Sequence, residues 1–190
     1  MDRRNFLLSS VGAALVLSQQ GCSLGGLRPS RTGYLYDDRF LGHDTGEGHA
    51  ESPERLMAIR DGFSQAEWVG DLLPIQASEA DPDVVGLVHT PEYIGLVRME
   101  CESGATRLST GDTRISPDSY AIALSAVGGV VSAVDAVMTG EAKNAFCAVR
   151  PPGHHASAER GMGFCICNNV AVAARYAQER YGVERVLIAD

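Results

Sequence analysis

Apolar positions in this chain recur with two periods, that of a helix and that of a strand. After Ser116, the residues Tyr120, Leu124, Val127, Val131, Val134 and Met138 alternate spacings of four and three. That is one face of a long helix. Gly128-Gly129 in its middle lowers helix propensity, so the pair predicts close approach of a neighbouring element. Gly140 predicts its end. A second helix is predicted in "SPERLMAIRDGF", with Ser52 as cap, Pro53 in the first turn and Leu56, Ile59 and Phe63 on one face. The same start recurs at Asp81-Pro82, Thr90-Pro91 and Ser116-Pro117. Several helices with short connections follow. The segments behind these starts differ, so they are not a sequence repeat.

Strand-like segments lie between the helical ones. "GYLYD" (residues 33–37) and "NAFCAV" (144–149) are short strand candidates, and "RVLIA" (185–189) is a third. A helix predicted from about Asn168 to Arg180 separates the last two. Strand, helix and strand in that order make a βαβ unit with parallel strands and a right-handed crossover. The fold class is therefore α/β. In open parallel sheets, sites form beyond the carboxyl ends of strands. One such end leads into residues 150–155, and Asp190 stands at the other.

Composition changes this picture little. Of the 190 residues, 45% are hydrophobic and 21% charged, as in an ordinary globular domain. The net charge of −8 comes from 16 basic and 24 acidic residues and speaks against a nucleic-acid groove, which needs a basic stripe. Of the five cysteines, Cys101, Cys147, Cys165 and Cys167 lie in or beside apolar segments and are expected as buried thiols. Cys165-Ile-Cys167 is too closely spaced for a zinc knuckle.

The first residues form a separate object. "MDRRNFLLSSVGAALVLSQQGCSLGG" carries Arg3-Arg4, then Phe6-Leu7-Leu8, then an apolar stretch from Val11 to Leu17. A basic start before a short apolar run reads as an export signal, and the paired arginines resemble the twin-arginine type. Residues 1–27 are assigned to it, and the domain proper to 32–190. The expected location is periplasmic or membrane-associated; without a working signal it is cytoplasmic. Cys22 after Gly21 raises lipid attachment and membrane anchoring, although Gln19 and Gln20 stand where a lipoprotein signal places leucine and a small residue.

The chemistry concentrates in "CAVRPPGHHASAERGMGFCICNN", residues 147–169, which holds two of the five histidines side by side. Adjacent side chains diverge in both strand and helix, so two histidines converge on one target only from an irregular loop. Pro151, Pro152 and Gly153 supply it. A carboxylate partner fixes a histidine's tautomer and raises its basicity, which is how a general base is made at neutral pH. Asp190, at the adjacent strand end, is the candidate carboxylate. A strand ending at a site with no helix behind it is the mark of an unfinished domain, so the chain is expected to be a fragment.

These residues resemble the histone deacetylase and acetylpolyamine amidohydrolase family. "RPPGHHA" (150–156) is similar to its histidine-pair motif, and "GFCICNNVAVAARYA" (163–177) to the segment behind it. "YDDRFLGHDTGEGHAESPERLMAI" (36–59) resembles the N-terminal block of the bacterial and class II branch, and "GDTRISPDSYAIALSAVGG" (111–129) the long helix with its lead-in. The resemblance implies an arginase-like three-layer fold with a mostly parallel sheet, here truncated after an early core strand. It implies zinc-dependent hydrolysis of N-acetyl amides on lysine or polyamines. It makes His155 the general base and acid and His154 an electrostatic or proton-relay neighbour. Asp190 pairs with His154 and contributes to a monovalent-cation (K+) site. Gly163 and Phe164 line the acyl-lysine channel, and Arg55 belongs to a cavity beneath the metal. The zinc (Zn2+) ligands and an oxyanion-stabilising tyrosine are expected beyond residue 190, so the chain alone is expected to be inactive.

Two other readings stand beside this one. A binding domain that keeps the channel without the metal is separated by the presence of downstream Asp and His ligands. A ureohydrolase-type dimetal enzyme on the same fold needs several carboxylates around two metals, which the Pro-Pro-Gly-His-His loop does not offer.

Overall fold

The computed structural model describes residues 31–190. The export signal assigned to residues 1–27 and the lipid-attachment candidate Cys22 lie outside the described residues.

Three short strands make a parallel sheet in the order β2-β1-β3. They are β1 (Thr32–Leu35), β2 (Leu73–Ile75) and β3 (Asn144–Cys147). Tyr34 pairs with Pro74 on one side and Phe146 on the other. Pro74 has no N–H to give a ladder, and β2 tolerates it as an edge strand of this sheet. Along β1 the burial alternates, with Gly33 and Leu35 on the covered face.

Five α-helices accompany the sheet among the described residues: α1 (Pro53–Ser64), α2 (Pro82–Val85), α3 (Pro91–Glu102), α4 (Ser119–Met138) and α5 (Asn169–Tyr181). The proline-marked starts of α1, α2 and α3 fall where the sequence places them. Thr90 caps α3 by accepting from Tyr93 N, and Asp81 caps α2 by accepting from Asp83 N. The fourth start lies three residues later than Ser116. Ser119 Oγ accepts from Ser116 N at 2.8 Å, which holds the Ser116–Asp118 lead-in as a turn rather than a helix.

The core helix α4 is buried well beyond one stripe, from Ile122 through Val130 without a break. It packs on all three strands and also on α3 and α5. Its glycine pair is the reason it comes so close. A side chain at Gly128 would strike the carbonyl of Ser78, and one at Gly129 would come within 2.7 Å of Leu35. On the opposite face of the sheet, Phe63 of α1 stacks on Tyr34 at 4.7 Å and Phe146 at 5.2 Å between ring centroids. Helix, sheet and helix are the three layers.

One predicted element is corrected. Residues 185–189 form no regular strand, and only Leu187 makes an isolated bridge. Leu187 and Ile188 are 63% and 43% exposed. The apolar alternation is there, but a strand needs a partner along its length and cover on a face. Residues 185–189 have neither in the described chain, so the βαβ unit closes on its first strand and helix only.

Candidate active site

The site is built where β3 runs out. Arg150, the third residue past the strand, is 3% exposed although charged. Its guanidinium makes a bidentate pair with Glu51, Nε to Oε1 at 2.6 Å and Nη2 to Oε2 at 3.0 Å. Nη1 and Nη2 also donate to the carbonyls of Phe40 (2.9 Å) and His43 (2.8 Å). All of these partners lie between residues 40 and 51. The loop before α1 and the loop after β3 are therefore joined by four charge-assisted hydrogen bonds inside the protein. His43 lies against this pair, fully buried, with Nδ1 2.7 Å from Ser119 Oγ. Burial and the nearby Arg150 cation push its pKa down to about 3, so it is neutral.

From Arg150 the chain turns through Pro151, Pro152 and Gly153, and the start of α5 holds the turn. Asn169 Nδ2 donates to Pro151 O at 3.2 Å, and Asn168 Nδ2 to Ala156 O at 2.8 Å. Asn168 also caps α5, its Oδ1 accepting from Ala171 N. Its own N–H donates to Nε2 of buried His89 at 2.8 Å, so that nitrogen is the unprotonated one. Gly153 has no room for a side chain, because Cβ would lie 2.6 Å from Asn169 N. "CNN" follows the histidine pair for this reason: its asparagines tie the loop down.

The two histidines emerge from this frame exposed and in contact, their ring centroids 4.1 Å apart and their planes at 55°. The backbone N–H of His155 points to Cys165 Sγ at 3.5 Å. Cys165 is buried, and burial raises its thiol to about 11, so it serves as packing rather than as a nucleophile. The ring of His155 rests on Gly163. A Cβ there would lie 2.7 Å from Cγ of the imidazole, and the backbone is left-handed at φ +59. Phe164 continues in the left-handed region at φ +67, a conformation uncommon for a bulky residue and one that clusters at functional sites. Its ring meets His49 edge to face, at 4.6 Å and 75°. Nδ1 of His49 lies within hydrogen-bond reach of both the backbone N–H (3.1 Å) and the carbonyl (3.0 Å) of Glu51, which fixes the ring against that residue. Gly163 N in turn donates to Asp112 Oδ1 at 2.7 Å.

Of the residues singled out from sequence, the structure brings His154, His155, Gly163 and Phe164 together. Arg55 is exposed in the first turn of α1. Asp190 is exposed at the end of the irregular segment 185–190, with no hydrogen bond or ion pair to either histidine. Sequence reasoning missed His49, Glu51, Asp112 and the buried Arg150. The signal for Arg150 was available: a charged residue directly before Pro-Pro in an apolar strand end requires a buried partner.

His155 and Gly163 line an open cleft, and the Phe164–His49 ring contact lies next to them in the chain fold. Such an arrangement can take a slender substrate chain between flat rings and bring a proton acceptor to its end. A family model described as "Histone deacetylase domain" matches residues 49–190. The "Polyamine deacetylase HDAC10" of Mus musculus is 41% identical over 152 residues, covering 77% of this chain and 23% of that protein. The "Histone deacetylase-like amidohydrolase" of Pseudomonas aeruginosa is 34% identical over 177 residues, covering 84% of this chain and 46% of its own. Among solved structures, the HDA15 HD domain superposes with a TM-score of 0.74 at 37% identity, covering 80% of this chain and 44% of that one. The chain thus spans about a quarter to a half of the relatives it matches.

Proposed function

The chain belongs to the histone deacetylase domain family, and from that premise we propose that it carries the histidine-pair side of a site that hydrolyses acetyl-lysine or acetylated polyamines. His155 is the general base that takes a proton from the attacking water and returns it to the leaving amine. His154 stands beside it as an electrostatic or relay group. Gly163 and Phe164, with His49, form one wall for the methylene chain of the substrate. The single observation that carries this reading is the seat of His155 on Gly163, beside the Phe164–His49 contact. This contact supports reading His155 as the base and Phe164 as the neighbouring wall.

The remaining assignments belong to the same proposal. Among the described residues no three His, Cys, Asp or Glu side chains are grouped to hold a metal ion. These residues by themselves do not fit a zinc ion, and no step is routed through one. The reading places the zinc ligands beyond residue 190. Asp190 pairs with His154 and borders a monovalent-cation (K+) site once further chain is present, and Arg55 turns to the inner cavity on the same condition. The 190-residue chain alone is inactive. The protein is exported, and replacing Arg3 and Arg4 by lysine stops export of a fused reporter that folds before transport; unchanged export contradicts that part.

The test uses the full-length protein with an acetyl-lysine peptide and an N-acetylated polyamine as substrates. Turnover of at least one, lost on chelation and restored by zinc, is the expected result. Failure to hydrolyse either in the zinc-loaded, folded protein overturns the reading.

A further inference from the structure

The cleft on which His155 opens has a volume of about 440 Å³ and is lined by Arg107, Gly111, Asp112, Arg160, Met162 and Gly163. Two arginines and one aspartate are thus among its lining residues, in a protein whose net charge is −8. The carboxylate is already engaged, since Asp112 Oδ1 accepts from Gly163 N at 2.7 Å. Neither arginine takes part in an ion pair among the described residues.

Both arginines sit on backbone that is held in place. Arg107 bridges Arg114 in antiparallel fashion, closed by Leu108 N donating to Thr113 O at 2.9 Å. Arg160 bridges Ser157, and its Nε donates to Thr110 O at 2.8 Å. Thr110 ties the two segments together, its Oγ1 accepting from Gly161 N at 3.1 Å. With Nε of Arg160 occupied, its two terminal nitrogens remain for another acceptor. A guanidinium on a fixed loop presents a planar fork that matches a carboxylate and repels ammonium groups.

We propose that Arg107 and Arg160 make the rim beside His155 a carboxylate-recognising subsite, so that the site favours acyl-lysine substrates bearing a carboxylate near the acyl group over polycationic polyamines. The proposal rests on the acyl-amide hydrolase reading and narrows its substrate class. The carboxylate has two sources, an acidic residue flanking the modified lysine or a dicarboxylic acyl group on it. Both present the same chemistry to the rim.

Four substrates separate the outcomes in the full-length protein: an acetyl-lysine peptide with aspartate flanks, the same peptide with neutral flanks, a neutral-flanked succinyl-lysine peptide, and an N-acetylated polyamine. The expected kcat/KM ratio of the best carboxylate-bearing peptide to the neutral acetyl peptide is roughly fivefold or more, the scale of two exposed ion pairs. The polyamine falls below the neutral peptide. The ratio shrinks as ionic strength rises, and in the Arg107→Gln/Arg160→Gln variant it moves to about one. A preference for aspartate flanks locates the carboxylate on the peptide, and a preference for the succinyl group locates it on the acyl chain. Turnover with a ratio of one, or with the polyamine preferred, overturns the proposal and leaves the hydrolase reading standing. Should no substrate turn over, fluorescence anisotropy with the same peptides decides separately. Tighter binding of the anionic peptide, lost in the double variant, then supports the rim while the hydrolase reading fails. Equal binding of anionic and neutral peptides sinks the rim as well.

Discussion

Arg150 and Glu51, ninety-nine positions apart in sequence, meet as a bidentate ion pair inside the protein, both side chains nearly without solvent access. Glu51 also carries the backbone N–H that fixes His49, and Arg150 begins the loop that carries His154 and His155. The pair therefore fixes the His49 loop relative to the loop that carries His154 and His155. A lone member left behind is a buried charge without compensation, which costs about 3–5 kcal/mol. Glu51→Leu and Arg150→Met are each expected to destabilise the full-length protein by that amount in chemical denaturation. The Glu51→Leu/Arg150→Met double variant is expected to lose less than either single change. A double-mutant cycle showing additive losses contradicts the account.

Gly163 has no room for even one carbon against His155. Gly163→Ala is expected to displace the imidazole and to lower kcat/KM by about 100-fold, the cost of misplacing a catalytic group by roughly 1 Å. The strained φ adds a stability loss of about 1 kcal/mol. Substrate assays paired with thermal denaturation check both. An Ala variant with near wild-type activity shows that His155 does not work from this seat.

His43 gives stability a dependence on acid. Its folded pKa of about 3 lies below the unfolded value of 6.5, because burial and Arg150 disfavour the charged ring. Between those values the unfolded chain binds the proton and the folded chain does not. Stability from this group is whole above pH about 6.5 and falls as pH drops toward 3, by about 1.4 kcal/mol per pH unit at most. Buried His89, also lowered by burial, acts in the same direction. His43→Gln is expected to flatten the acid limb of a denaturation series from pH 7 to 4. An unchanged slope in the variant assigns the acid limb to other groups.

Much of this architecture was legible from residue patterns, and the exceptions have causes. Three proline-marked helix starts were readable because a proline in the first turn is a local signal; Asp81 and Thr90 add side-chain caps, Ser52 makes none, and at Ser116-Pro117 the Ser119 hydroxyl holds a turn instead. The glycine pair in α4 was readable as close approach, but its neighbours, Ser78 and Leu35, were not, since they arrive from distant segments. Burial on α4 departs from the stripe: Tyr120, Val131 and Met138 are only half-buried, while Ile122, Ala126 and Val130, outside the stripe, pack into the core with Leu35. Residues 185–189 have the pattern of a strand, and what they lack among the described residues is a partner along their length. In the site, the histidines and the Gly-Phe step carry a local motif. Glu51, His49 and Asp112 enter only through contacts that span tens of residues.

The central claim is that His155 is the group that moves the proton, and kcat at saturating substrate in two variants of the full-length, zinc-supplied protein tests it most directly. His155 is braced on Gly163, whereas His154 touches it only from the side. His155→Ala is expected to lower kcat by about 100-fold or more, and His154→Ala at least about tenfold less than that, with KM little changed in either. Greater damage from His154→Ala, with both variants folded, contradicts the account.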